Sequence, residues 1–481
     1  MKDKEQTRRE FFRRTSCAAL GAAAFGASLK QFGLMSALAQ DNVGAMGAQG
    51  TAAAAAAPYK ALVCIFMFGG NDANNMVVPL DATGYNAYNA VRGPSGLAIP
   101  QGSLLPINPP SSGAFGLHPN MTELQTLFTN QKLAVVANVG SLVQPLTRAQ
   151  YRSGSSAPYQ LFSHNDQQEI WQSGRGDVRT QTGWGGRAAD KVVALNQGSG
   201  FPITTTVAGS AVFAQGLVTQ PLGIAPAPTA LNQVLVLSGF NTSPEATARK
   251  NSMDFLRTID RQATLVAVAS DQTEQAIQVR AALQVDPVLA TQFPGSGIGN
   301  QLKQVAKVMK LNQTTLGLSR QVFFCSIGGF DTHQNQLAAH QGLYSQLSQA
   351  MNAFYNATVE LGLQNSVTTF TQSDFGRTFE PSGSNAGVVG SDHGWGGHQF
   401  VMGGAVLGGN FYGVTGANGT VFPTLQLTGP DDADSRGRWI PTTAVEQFGA
   451  TLSTWFGVSA ADLPTVFPLL SRFSTPNLGF V

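Results

Sequence analysis

The chain has 481 residues, of which only 12% are charged, and it carries a formal net charge of +2. Residues 1–39 hold seven Lys/Arg and three Asp/Glu, a local charge of +4, so the rest of the chain carries −2. This balance excludes the basic footprint of a nucleic-acid-binding protein. The length suits one large α/β domain, which we expect to occupy residues 59–481.

The N-terminus has a basic stretch followed by a weakly apolar one. Thr7–Arg14 reads TRREFFRR, in which paired arginines are followed by two large apolar residues and a base. A weakly apolar, Ala/Gly-rich stretch follows, and Ala37-Leu38-Ala39 is a small-x-small cleavage site. The alternative is an amphipathic helix or a membrane anchor, but Lys30 and Gln31 interrupt the stretch. Residues 1–39 are therefore predicted to be a twin-arginine signal peptide.

This signal predicts a periplasmic or secreted protein that meets the twin-arginine translocase during export and keeps no stable membrane span after cleavage. Residues 40–58 lack periodicity and are predicted to be a flexible linker. The twin-arginine route carries folded proteins, often with a metal or cofactor already loaded. Cys64 and Cys325 lie in apolar strand-like runs, which favours buried free thiols over a disulfide.

Apolar runs alternate with helical patterns along the mature chain. The strand-like runs are Ala61–Phe68, Leu133–Val139, Gln321–Ile327, Val367–Thr371 and Phe400–Met402; the helical ones are Met121–Asn130, Thr273–Val285, Gly297–Leu311, Leu337–Leu361 and Thr443–Phe456. This alternation predicts a mainly parallel sheet with helices on both faces. We expect surface loops at 93–116 and 381–391, and a small β insertion at 200–240.

Three of the strand-like runs are followed by acids. Asp72 follows the first run, Asp331 the run that ends at Ile327, and Asp374 the run that ends at Thr371. The carboxyl ends of parallel strands share one edge of a sheet, where open α/β folds bind ligands. Each acid alone is more often a turn or helix-cap residue. Their joint occurrence predicts one shared site.

Histidines accompany these acids. The chain has six, and His333 follows Asp331 closely, while His393 and His398 lie in Asp392-His393-Gly394-Trp395-Gly396-Gly397-His398. Carboxylates and imidazoles together are ligands for Zn, Mn or Fe, and carboxylates also for Ca. We therefore expect a divalent metal ion. His118 is predicted to cap a turn.

Six short motifs follow one another along the mature chain: Gly69–Asp72 with Asn75 and Pro79, Gly116–Pro119, Ser163-His164, Gly329–His333, Ser373–Arg377 and Asp392–Gly394. In this order they resemble the domain-of-unknown-function family numbered 1501, which is similar to the alkaline phosphatase and sulfatase superfamily. The resemblance runs from about Lys60 to Phe456. It implies an alkaline phosphatase-like α/β fold and a metal-dependent hydrolase of phosphate or sulfate esters.

The resemblance also implies roles for particular residues. Asp72 matches the first metal-binding acid, and Ser163 is placed to be the nucleophile at the start of a helix, although a plain N-cap is equally compatible. His164 is either a metal ligand or a general acid/base. Arg377 is either a clamp for the substrate anion or a partner in a surface salt bridge.

Two departures from the superfamily pattern leave the metal ligands open. Asp331 and His333 are closer together than the corresponding pair, and Phe375 follows Asp374 where a His is usual. Either Asp392-His393 is the Asp-His pair, or Asp374 is that Asp and the last ligand is His393 or His398.

The sequence therefore predicts an exported hydrolase, acting on a small-molecule or polymer ester. Two other functions stay open: a non-catalytic binding or assembly protein that retains the fold, and an oxidoreductase with a redox-active metal. No Gly-rich fingerprint follows the first strand, which excludes a dinucleotide cofactor of the usual kind.

Overall fold

The computed structural model describes residues 57–481 apart from 111, 155, 197–198, 237–241 and 384–387. The predicted signal peptide, and the linker up to residue 56, lie outside the described residues. The strands are β1 Lys60–Phe68, β2 Val77–Pro79, β3 Leu105–Ile107, β4 Phe115–Leu117, β5 Leu133–Gly140, β6 Thr204–Thr206, β7 Leu222–Gly223, β8 Arg320–Gly328, β9 Val367–Ser373, β10 Arg377–Ser382, β11 Gly390–His393, β12 Gly397–Met402, β13 Phe411–Tyr412 and β14 Thr443–Ala444.

The α-helices vary from a single turn to 25 residues. They are α1 Ala73–Met76, α2 Ala82–Arg92, α3 Thr122–Thr129, α4 Arg148–Arg152, α5 His164–Ser173, α6 Trp184–Val192, α7 Pro244–Leu256, α8 Thr264–Ala282, α9 Gly297–Leu311, α10 Gln336–Glu360, α11 Val445–Phe456 and α12 Leu463–Val466. Within the described part of the chain, every helix is too short or too polar to span a bilayer.

The central sheet is mostly parallel, as predicted. In the described residues it has nine strands in the order β13-β5-β12-β9-β1-β8-β6-β7, with β14 also paired to β5. Strand β12 alone among these runs antiparallel to its neighbours. The central strand β1 is buried along nearly its whole length and reads KALVCIFMF. Such continuous apolar runs are typical of parallel strands that are covered on both faces.

Helices cover both faces of the sheet. On one face, Phe66 and Phe370 belong to a core cluster with Trp184 of α6 and Phe448 of α11. On the other face, α9 packs against β8 and against α10. Burying a side chain such as Phe66 stabilises the fold by roughly 1.5–3 kcal/mol. Cys64 and Cys325 are buried free thiols, which confirms the prediction for them.

The structure refines three of the predicted elements. The helix predicted at Thr273 begins nine residues earlier, at Thr264. The small β insertion predicted at 200–240 contains the two short strands β6 and β7, which extend the central sheet parallel to β8. The predicted loop at 93–116 contains β3 and β4, which pair with β2 in a small antiparallel sheet. Short strands like these carry too few residues to show a clear period.

Candidate metal centre

The predicted edge of the sheet is formed by the ends of three neighbouring strands. Strand β1 lies between β9 and β8, and its last residues pair with the last residues of both. Gly69 follows β1 with a φ of +115°, and a Cβ there would lie 2.3 Å from the Asp331 backbone nitrogen. Only glycine permits this approach. The Gly69 N–H also donates to Asp374 Oδ1 at 3.2 Å.

The carboxylate of Asp331 is the centre of a cluster of histidines. Its Oδ1 lies 3.0 Å from His333 Nε2 and 3.4 Å from His393 Nε2, and its Oδ2 lies 3.4 Å from His164 Nε2. Ligand atoms of His164, Asp331 and His393 all lie within 4.8 Å of one another. Three imidazole nitrogens and one carboxylate therefore converge, and the Asp331 side chain is 46% exposed, so the cluster is open to solvent.

Each imidazole in the cluster is oriented by an acceptor on its far side. His164 Nδ1 lies 2.7 Å from Asp374 Oδ2, and His333 Nδ1 lies 3.0 Å from Asp392 Oδ1. His393 Nδ1 lies 2.7 Å from the Phe162 carbonyl oxygen. Because carboxylates and carbonyls only accept, each Nδ1 carries the hydrogen and each neutral ring has its Nε2 lone pair free. Metal-ligating histidines are oriented in this way.

The arrangement fits a divalent metal ion. His164 Nε2 is buried and makes no hydrogen bond. His333 Nε2 and His393 Nε2 lie only 3.1 Å apart. Two imidazole lone pairs at that distance repel each other unless a proton or a cation lies near both. Three nitrogens and one oxygen suit Zn, Mn or Fe better than Ca, which prefers oxygen.

Local backbone structure brings these side chains together. Helix α5 begins at His164, and the preceding Phe162 has a left-handed φ of 72°, which is uncommon for a bulky residue. Strands β10 and β11 pair with Arg377 opposite His393. The Phe375 ring stacks on the His393 ring at 4.7 Å between centroids. The cluster therefore draws on three separate segments of the chain, and a fourth, which holds Phe375 and Arg377, packs against it.

The pKa shifts in the cluster differ from one residue to the next. Burial raises the pKa of Asp331, but a hydrogen bond and the charge of Arg377, helped by His164 and His333, outweigh it and lower the pKa. The hydrogen bond to Asp374 raises the pKa of His164. Burial lowers the pKa of His393, which favours the neutral ring that a metal requires. Asp331 is therefore a carboxylate at neutral pH.

The structure does not bring Asp72 into the cluster, which corrects its assignment as a ligand. Asp72 is fully buried, and Arg92 binds both of its oxygens, at 2.6 and 3.0 Å. Gln336 also donates to Asp72 Oδ2. The guanidinium of Arg92 supplies the positive charge that a metal was predicted to supply, since a buried carboxylate needs a partner.

His398 also lies outside the cluster, which corrects the second assignment. It is buried on β12, and its Nδ1 accepts from the Asn138 backbone N–H at 3.1 Å. Its ring lies 4.5 Å from that of Phe422, and burial lowers its pKa to about 3. His393 and His398 lie on different strands, β11 and β12, which belong to different sheets, so closeness in sequence did not mean closeness in space.

Asp374 and Asp392 contact the cluster from outside. Asp374 holds His164, and Asp392 holds His333, so neither Asp approaches the centre as the four central residues do. The sequence left open whether Asp374 or Asp392 is a metal ligand and whether the last ligand is His393 or His398. In the structure His393 lies in the centre, and Asp374 contacts His164 instead. Asp392 also pairs with Arg436.

Arg377 and Ser163 lie beside the centre. Arg377 is almost fully buried, and its Nη1 donates to Asp331 Oδ1 at 2.9 Å and to the Gly69 carbonyl at 3.2 Å. The guanidinium is thus engaged by the protein itself, in a salt bridge whose arginine is buried and whose carboxylate is partly exposed. Ser163 is the N-cap residue of α5, but its side chain caps no backbone N–H and donates to Asp166 Oδ2 at 2.6 Å.

The two other histidines are both buried. His118 Nδ1 accepts from the Asn120 backbone N–H, which confirms the turn cap, and burial lowers the pKa of His118 to about 4. His340 lies 3.1 Å from Thr332 Oγ1, and burial lowers its pKa to about 3.

Sequence reasoning missed three contributors to the site. Gln168 donates to Asp374 Oδ2 at 2.8 Å, Phe162 offers its carbonyl to His393, and Arg92 neutralises Asp72. Gln168 lies one helical turn after His164, so an i, i+4 search on α5 would have found it. The contact with the Phe162 carbonyl could not have been predicted in this way, because every residue has a backbone carbonyl.

Comparisons with known proteins identify a family and distant likenesses. The family described as "Protein of unknown function (DUF1501)" matches residues 59–426. No curated protein matches the chain. Ps i-CgsB in complex with k-i-k-neocarrahexaose is 9% identical, covers 87% of this chain and 77% of its own, and has a TM-score of 0.34.

Two further structures are similarly distant. The PsFucS1 sulfatase from Pseudoalteromonas sp. is 11% identical, with 74% of this chain and 64% of that chain covered and a TM-score of 0.28. The C-terminal periplasmic domain of EcEptC from Escherichia coli, in complex with Zn, is 10% identical, with coverages of 73% and 74% and a TM-score of 0.27. Likenesses this low say nothing of the site, so its own geometry must carry the assignment.

Proposed function

We propose that this chain, which belongs to the DUF1501 family of proteins of unknown function, is an exported, metal-dependent hydrolase of phosphate or sulfate esters. The observation that carries the proposal is the convergence of three Nε2 atoms on Asp331, each ring oriented by an acceptor at Nδ1. The ester class comes from the resemblance of the motifs to the alkaline phosphatase and sulfatase superfamily, and is therefore an analogy.

The residues that would hold the ion are His164, Asp331 and His393, with His333 on the open side. Three protein ligands that leave a position open are typical of catalytic sites. A bound divalent ion would supply Lewis acidity and offset the charge that develops on the transferred group.

The other residues of the site act on these four. Arg377 donates to Asp331 Oδ1, the oxygen that also faces His333 and His393, and so fixes the orientation of the carboxylate. Asp374 and Asp392 keep the hydrogens of His164 and His333 on Nδ1. Each of these contacts fixes an orientation before substrate arrives, which is how supporting residues promote catalysis.

Ser163 is the proposed nucleophile. It directly precedes His164, and its neighbour Phe162 contacts His393, so its backbone borders the cluster. The hydroxyl is not used to cap α5, and the N-terminus of that helix favours negative charge on the attacking oxygen and on the bound anion. A water molecule is the alternative nucleophile, and Ser163→Ala distinguishes the two.

The test combines metal analysis with ester hydrolysis on the purified mature protein. We expect about one equivalent of metal in wild type, and loss of both metal and turnover in Asp331→Ala and His393→Ala. Ser163→Ala should keep the metal and lose turnover. His398→Gln is the matched control, because it removes a buried histidine outside the cluster and should keep both. A carefully loaded wild type that binds no metal would overturn the proposal.

A non-catalytic binding or assembly role is the second candidate. One observation favours it: Arg377 pairs with Asp331, and Arg436 pairs with both Glu380 and Asp392. Neither guanidinium is free to bind a substrate anion. This role predicts bound metal, loss of thermal stability in Asp331→Ala and no turnover of any ester.

A redox role predicts instead a coloured or paramagnetic preparation, since three imidazoles and a carboxylate also suit Fe or Mn.

A further inference from the structure

A fully buried ion pair lies behind the metal centre. Asp72 and Arg92 are both 0% exposed, and the guanidinium binds both carboxylate oxygens. Replacing a buried ion pair by apolar residues is often neutral or stabilising, so stability alone does not account for such a pair. Its other contacts indicate what it does.

The pair binds β10 through backbone carbonyls. Arg92 Nη2 donates to the Thr378 carbonyl at 2.9 Å, and Arg92 Nε donates to the Phe379 carbonyl at 3.0 Å. Both residues directly follow Arg377 on β10. The planar guanidinium has donors in a fixed geometry, so it sets the position of β10 relative to Asp72.

The same pair is linked to β11 through Gln336. The Gln336 amide donates to Asp72 Oδ2, and its Oε1 accepts from the Ser391 hydroxyl. The Ser391 carbonyl in turn accepts from Arg377 Nη2. Ser391 immediately precedes Asp392 and His393, so its position determines where those side chains begin.

We infer that Asp72, Arg92, Gln336 and Ser391 form a positioning network that holds the β10–β11 pair so that His393 and Asp392 reach the metal centre. The network touches no ligand atom of the four central residues. Its effect on metal affinity rests on the proposed function, whereas its restraint on β10 and β11 does not. Gln336 is the link that joins the ion pair to β11.

The test uses two variants that leave the ion pair and every proposed ligand intact. Gln336→Met keeps the side-chain length but removes both hydrogen bonds, and Ser391→Ala removes only the link to β11. The matched control is Asn196→Ala. Asn196 is a buried amide that binds three backbone groups at the start of β8, the end of that strand opposite the metal centre.

Two readouts are measured on each full-length mature variant. The first is hydrogen exchange of the Ser391 and Asp392 amides in metal-free protein, which reports the restraint without any metal. The second is Zn²⁺ affinity by competition with a chromophoric chelator. We expect Gln336→Met to speed the exchange and to weaken Zn²⁺ binding by about tenfold. This is the smallest loss of affinity that is usual when a residue that orients metal ligands is replaced. Ser391→Ala should show the same effects more weakly.

The control separates positioning from general destabilisation. Asn196→Ala should lower the melting temperature while both readouts stay at wild-type values. The inference is overturned if folded Gln336→Met exchanges and binds Zn²⁺ as wild type does, or if exchange rises while affinity is unchanged. If wild type binds no Zn²⁺, the proposed function fails and the exchange measurement alone decides whether the network holds β10 and β11.

Discussion

Replacing Asp374 by Asn should damage the metal centre although Asp374 is not one of its four central residues. The Asp374 side chain is fully buried, and its two oxygens face only donors. Oδ1 accepts from Gly69 N–H, and Oδ2 accepts from His164 Nδ1–H and from Gln168. An amide has one acceptor oxygen, so Asn cannot serve both sides.

The cost can be worked out for each orientation of the amide that Asp374→Asn introduces. If its oxygen faces His164, the Gly69 N–H is left unsatisfied, at about 1–3 kcal/mol of stability. If its NH₂ group faces His164, the ring must move its hydrogen to Nε2 in order to accept, and the nitrogen that faces Asp331 can no longer bind a metal. Contacts of this kind are worth about 10–100-fold in metal affinity, or roughly 1.4–2.7 kcal/mol.

The assay is Zn²⁺ affinity by chelator competition, together with urea unfolding of the metal-free protein. If the introduced NH₂ group faces His164, we expect Zn²⁺ binding to weaken by at least about tenfold. If the amide oxygen faces His164, we expect the free energy of unfolding to fall by about 1–3 kcal/mol instead. Asp392→Asn is the comparison, because Asp392 is partly exposed and water can replace its contacts, so its effects should be smaller. Wild-type Zn²⁺ affinity together with wild-type stability in the Asp374→Asn protein would refute this reasoning.

Three further predictions concern groups away from the cluster. Burial raises the pKa of Glu446 to about 8; the folded protein then keeps a proton that the unfolded chain has lost, so stability falls as pH rises from about 4.5 to 8, by on the order of 5 kcal/mol. Glu446→Gln should make the free energy of unfolding less dependent on pH, as measured by urea titrations across this range. An unchanged pH dependence would mean that another group causes it. Burial lowers the pKa of His398 to about 3. Below about pH 6.5 the unfolded chain therefore takes up a proton that the folded protein does not, and the free energy of unfolding decreases as the pH is lowered. His398→Gln should reduce this loss between pH 6.5 and 3; equal acid sensitivity of variant and wild type would contradict the assignment. Finally, replacing Arg8 and Arg9 together by Lys should retain the protein in the cytoplasm, as cell fractionation would show, whereas export of the variant would argue against the twin-arginine route.

Much of the fold could be predicted from the sequence. The buried strands β1, β8 and β9 were each predicted to within about two residues, and β1 is an almost continuous apolar run. The strand β12 was also found, but its antiparallel direction was not. Direction depends on the path of the connecting segment, and a short apolar run has no polarity of its own.

The candidate site was predicted in part. Asp331, His333 and His393 were expected to lie together because they follow strands or share a motif, and the structure brings them together with His164. Asp72 obeyed the same rule and was misassigned, because a guanidinium 20 residues away in sequence binds it. An acid after a strand looks the same whether a metal or an arginine neutralises it.

The sequence by itself determined which residues lie in the longer strands of the central sheet, which edge of the sheet gathers the acids, and which side-chain chemistry is present there. The tertiary structure decided which of those groups point at one another. Strand ends fix the backbone only to within a few ångströms, whereas ligation and hydrogen bonding depend on side-chain direction and on partners such as Arg92, Gln168 and the Phe162 carbonyl. Those partners come from segments that packing alone brings to the site.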